Sequence, residues 1–173
     1  MHGFSMSKKK DDGSQNVAYL STAGSFDTLE SDGIETAWIV IHGSERNPDD
    51  YVCCASATLE LQGISNSTLV IAPWFLAPRD RVQGEYLRWE ENGPIPHTWR
   101  YGANAVNSNV SSYTVVDRLI KKLTTLPNLN RIVVAGHSAG GQYVQRWAML
   151  SRRSTFEVVP IRIVVANPRS FCW

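Results

Sequence analysis

The chain has 173 residues, 43% hydrophobic and 19% charged, enough apolar material for one domain of ordinary size whose core needs no metal or disulfide to hold it. Seventeen Lys and Arg stand against sixteen Asp and Glu, a formal net charge of +1, so no global field draws nucleic acid or an anionic bilayer. The longest apolar runs, such as Ala37 to Ile41 and Ile163 to Ala166, fall far short of the roughly 20 residues that cross a membrane.

Residues 1–16 carry Lys8, Lys9, Lys10, Asp11 and Asp12 among Ser and Gly, with no apolar stretch behind the charges. This predicts a flexible leader rather than a signal peptide, with the folded domain over 17–173. Without a targeting or membrane-spanning segment in view, a cytoplasmic location is favoured. Val17 to Ser21 is a first candidate strand, and Ala37-Trp38-Ile39-Val40-Ile41, apolar throughout, is a second, covered on both faces. After His42-Gly43, Asn47 stands as an N-cap, with Pro48 at the first helical position and Asp49 and Asp50 in the first turn. Tyr51, Val52, Ala55 and Leu59 share one face of that helix, and Gly63 ends it.

Thr68 to Ala72 is the next buried strand, stopped by Pro73. From Pro73 to about Val110 no period holds, and a connection that long reads as a lid or a binding loop. Val115, Val116, Leu119, Ile120 and Leu123 then form one apolar stripe of a helix, closed by Pro127. Arg131 to Ala135 is an apolar strand that runs straight into Gly136-His137-Ser138-Ala139-Gly140-Gly141, followed by a helix with Val144, Trp147 and Ala148 on its buried side. Pro160 to Ala166 is the last strand. Short strands alternating with amphipathic helices define an α/β fold: a mostly parallel sheet with helices on both faces. Cys53, Cys54 and Cys172 match neither a zinc spacing nor a disulfide framework, so they read as ordinary thiols, and no metal or cofactor is expected. Asn66-Ser67-Thr68 and Asn109-Val110-Ser111 match the glycosylation acceptor pattern, which has meaning only in a secreted chain.

The chemistry concentrates at Gly136-x-Ser138-x-Gly140. Between a buried strand and an amphipathic helix this spacing predicts a nucleophile elbow. The turn is so tight that Ser138 takes a strained conformation, and Cβ groups at positions 136 and 140 would meet the neighbouring strand and helix. The same geometry lifts the Ser138 hydroxyl above the sheet at a helix N-terminus, where the Ala139 amide is placed to bind an oxyanion. The absence of a Lys after the glycines, and of a Gly-x-Gly-x-x-Gly run, argues against a phosphate loop.

These residues, with His42-Gly43 at the end of an earlier strand, resemble the α/β-hydrolase superfamily. The resemblance covers roughly residues 17 to 170. It implies a serine hydrolase acting on an ester or related small acyl substrate, with a second oxyanion amide from Ser44, or from Gly43, and a structural role for His42. It also implies an acid and a histidine after the serine. Beyond Ser138 the chain holds no His and no Asp, and its sole carboxylate side chain is Glu157, expected on the face away from the elbow. The partial domain is therefore expected to lack the strands that carry the acid and base. Failing that, a substitute base would be His97 or His42, on loops opening to the elbow's face, whereas His137 should point away from its neighbour. Asp80, Glu85, Glu90 and Glu91 share the long connection and read as solvated charges. The rival reading is a non-catalytic module of the same fold that binds a ligand or partner through residues 73–110, or self-associates through an uncovered sheet edge.

Overall fold

The computed structural model describes residues 2–5, 16–25, 32–93, 97–151, 159–168 and 170–171. Among these described residues six strands form one sheet in the order β1-β2-β4-β3-β5-β6. These are β1 (His2–Ser5), β2 (Asn16–Ser21), β3 (Thr36–Ile41), β4 (Thr68–Trp74), β5 (Arg131–His137) and β6 (Ile161–Ala166). β4, β3, β5 and β6 run parallel, while β2 joins β4 and β1 joins β2 antiparallel. The strand His2–Ser5 corrects the expectation of a leader over 1–16, because its backbone pairs with Asn16 to Tyr19. Residues 6–15, with the charged run, lie outside the described residues.

Among the described residues three α-helices cover both faces, α1 (Pro48–Leu61), α2 (Ser112–Leu123) and α3 (Ala139–Leu150). On one face Ala55 and Leu59 of α1 pack against Val40, Val70 and Ala72. On the other, Val115, Leu119, Tyr143, Val144 and Trp147 of α2 and α3 pack against Ile39, Ile41, Ile71 and Val134. This is the α/β architecture that alternating patterns predict.

Local signals explain the helix ends. Asn47 occupies the N-cap of α1, but its amide donates to Asp50 instead of capping the backbone. At the far end Gly63 takes φ 70°, its N–H bonding Glu60 and that of Ile64 bonding Leu59, a Schellman closure that asks for glycine. The Ser111 hydroxyl caps α2 by accepting from the Tyr113 amide at 3.2 Å.

The long connection after β4 is no lid. Phe75, Leu76, Leu87, Trp89, Trp99 and Val110 are all buried, most of them wholly. Trp99 stacks on Phe75 with ring centroids 5.2 Å apart, and Arg88 donates to the carbonyls of Ala77 and Asp80 at 2.8 Å. Burying that much aromatic surface fixes the segment to the core. Its anchors are irregularly spaced, which is why no period shows in the sequence.

Candidate active site

β3, β5 and β6 are parallel neighbours, so the loops that follow them open on the same edge of the sheet. Among the described residues three non-glycine positions have positive φ: Arg46 at 55°, Ser138 at 55° and Asn167 at 42°. Each lies in one of those three loops. Clustering of strained backbone at one edge points to a built site.

β5 ends at His137 and α3 begins at Ala139, leaving Ser138 alone in the turn with φ 55° and ψ −119°. Its amide donates to the Ala166 carbonyl at 3.0 Å, and its carbonyl accepts the first helical bond, from Gln142, at 3.0 Å. Its side chain does not cap the helix. Three glycines permit the turn. A Cβ at Gly136 would come closer than 3.0 Å to the Gly140 carbonyl, and one at Gly140 would do the same to the carbonyls of Ile41 and His42. A Cβ at Gly141 would stand 2.7 Å from the Ala166 carbonyl. Gly136 and Gly140 are foreseeable from the motif. Gly141 is not, because its constraint comes from β6, far away in sequence. Ala139 is buried and holds the first helical position, where an amide has no intrahelical acceptor.

The approach of Gly140 to Ile41 and His42 brings the loop after β3 against the elbow. His42 is fully buried. Its Nδ1–H donates to the Gly43 carbonyl at 3.0 Å and its Nε2 accepts from the Phe75 amide at 3.1 Å. Trp99 and Phe75 meet its ring at centroid distances of 4.8 and 5.6 Å. Desolvation pushes its pKa down from 6.5 to about 4, with Arg46 nearby lowering it further, against the opposing hydrogen bond to Gly43. With both nitrogens engaged by backbone, His42 is not a base for Ser138. It holds the loop. Gly43 is buried and Ser44 exposed. The Tyr51 hydroxyl lies against Gly43, where a Cβ would come within 2.8 Å of it. Burial raises the Tyr51 phenol, against a hydrogen bond with Gly43 backbone.

His97 is exposed. It lines a depression of about 510 Å³ with Glu90, Tyr101, Gly102, Ala103 and Asn104, a set that includes neither Ser138 nor the loop after β3. His137 is also exposed, its Nε2 3.4 Å from the Asn167 amide nitrogen. Asp80 and Glu91 correct the expectation of solvated charges. Both pair with Arg46, itself only 8% exposed, and Glu91 pairs with Arg79 as well. Arg46 carries no motif, and its partners are distant in sequence, so spacing could not reveal it. Glu85 and Glu90 are exposed. Glu157 and Cys172 lie outside the described residues, and Cys53 and Cys54 are exposed free thiols. Among the described residues no helix is long and apolar enough to cross a membrane.

No protein-family model and no curated protein matches the chain. Its α/β fold is shared with solved hydrolases. One is LpqC, a poly(3-hydroxybutyrate) depolymerase from Bordetella parapertussis, with a TM-score of 0.58 and 19% identity over 96% of this chain and 50% of that one. A second is poly(aspartic acid) hydrolase-1 from Sphingomonas sp. KT-1, with a TM-score of 0.55 and 18% identity over 98% of this chain and 57% of that one. The chain thus spans about half the length of these neighbours.

Proposed function

We propose that this chain is part of a serine hydrolase of α/β-hydrolase type, acting on carboxylic esters or related small acyl substrates through an acyl-enzyme on Ser138. The observation that carries the proposal is the backbone of Ser138, held at φ 55° between β5 and α3 by glycines that leave no room for a Cβ. Such strain in a non-glycine residue costs of order 1–3 kcal/mol, and it persists where presentation of the side chain requires it. Both neighbours are named for cleaving acyl-linked polymers, which supports the reaction class.

In the proposed reaction the Ser138 oxygen attacks the substrate carbonyl carbon as its proton passes to a base. The carbonyl oxygen becomes an oxyanion held by the amides of Ala139 and of Ser44 or Gly43. Collapse expels the leaving group, which takes the proton, and water then hydrolyses the acyl-serine by the same steps in reverse order. His42 is locked in the core and His97 lines another surface. We therefore assign the acid and the base to sequence outside these 173 residues, a view supported by the greater length of the neighbours. Accordingly, the chain alone should turn over p-nitrophenyl acetate at or near the background rate. Robust turnover abolished by Ser138→Ala would overturn the assignment of a missing base.

A second reading rests on β6. As the sheet's edge it exposes Val164 and Val165 by 42% and 36%. A non-catalytic module pairing through that edge would show a concentration-dependent mass in sedimentation, reduced by Val164→Lys. A monomer at all concentrations removes this reading.

A further inference from the structure

A guanidinium is seldom as buried as that of Arg46 unless its partners are built around it. One Nη donates to Asp80 Oδ2 and the other lies 2.9 Å from Glu91 Oε2. Asp80 Oδ2 also accepts from the Ala77 amide at 2.7 Å. Arg79 braces Glu91 through Nε at 2.7 Å and Nη2 at 3.0 Å. Two cations thus meet two carboxylates, and the long connection after β4 supplies both carboxylates that pair with the Arg46 guanidinium.

The backbone of Arg46 does a different job. At φ 55° its amide donates to the Gly43 carbonyl at 3.2 Å, closing the turn over residues 43–46. Outside glycine that conformation is disfavoured, so the turn needs an external hold. The Asp80 and Glu91 carboxylates supply it from one side. His42 supplies it from the other, bridging the Gly43 carbonyl and the Phe75 amide.

We propose that Arg46 is a positioning residue for the oxyanion site: its fork to Asp80 and Glu91 holds the 43–46 turn so that the Ser44 amide faces the carbonyl oxygen of a substrate on Ser138. The inference rests on the hydrolase reading of Ser138. A planar, bidentate cation suits the task because it fixes direction as well as distance, which the point charge of Lys does not.

The test uses the whole chain carrying Glu91→Gln, which keeps the size of the side chain and removes one charge, and Arg46→Lys. Two rates are read: amide exchange at Arg46 and Ala77 by NMR, and fluorophosphonate labelling of Ser138. The expected result is exchange about 10-fold faster at both amides, with that of Val134 in β5 unchanged. Labelling should slow by up to about 10²-fold, the scale set by a misplaced catalytic group. Labelling that is Ser138-dependent yet indifferent to both substitutions overturns the inference alone. So does a rise in Val134 exchange by the same factor, which marks global destabilisation. Absence of labelling in the unsubstituted chain removes the hydrolase reading and this role with it.

Discussion

Ser138 stores strain that a residue without a Cβ would relieve. Ser138→Gly should stabilise the chain by about 1 kcal/mol, the released strain being partly offset by glycine's larger unfolded-state entropy; a raised urea midpoint with unchanged slope would show it. His42 makes the opposite kind of statement about pH. Its folded-state pKa of about 4 lies below the ordinary 6.5, so as pH falls the unfolded chain binds the proton first. This contribution to stability is complete above about pH 6.5 and is lost progressively down to about pH 4, for a total of about 3 kcal/mol. Equilibrium unfolding from pH 7.5 to 4 should therefore show a slope that His42→Gln flattens, and an unchanged slope in that variant would assign the acid sensitivity elsewhere. Arg46 escaped sequence inspection because ion pairs across a fold leave no local spacing. The elbow glycines were legible because their constraint lies within a few residues.

At the scale of elements, the junction of β5 with α3 depends on absent side chains. Gly140→Ala would drive a Cβ into the carbonyls of Ile41 and His42, and backbone cannot yield as a flexible side chain can. The expected cost is about 3 kcal/mol or more, measurable as a drop in the denaturant midpoint. Gly93, whose nearest neighbour to a Cβ is 4.0 Å away, is the control and should tolerate Ala far better. The parallel strands and all three helices were readable from apolar runs, stripes and caps, since β3, β4 and β5 are buried and α2 is cleanly two-faced. Two elements misled. The long connection looked like a lid because Phe75, Trp89 and Trp99 anchor it at irregular intervals, and β1 was hidden in a polar stretch whose pairing with β2 is a matter of backbone, not pattern.

For the molecule as a whole, one edge of the sheet gathers Ser138, the Ala139 amide and the clamped turn of residues 43–46. The opposing charges of the long connection hold that turn in place. Under the proposed function this arrangement is half of a catalytic apparatus, a nucleophile and a site for negative charge, with the base assigned elsewhere. On that reading ester turnover stays near background for want of a base, while over long exposure Ser138 should still react, slowly and selectively, with a strongly electrophilic phosphonylating agent. The most direct measurement is prolonged exposure of the 173-residue chain to a fluorophosphonate, followed by peptide mass mapping. A single adduct on Ser138, absent in Ser138→Ala, is the predicted result. An unmodified chain, or adducts spread over other serines and unaffected by that substitution, would contradict it.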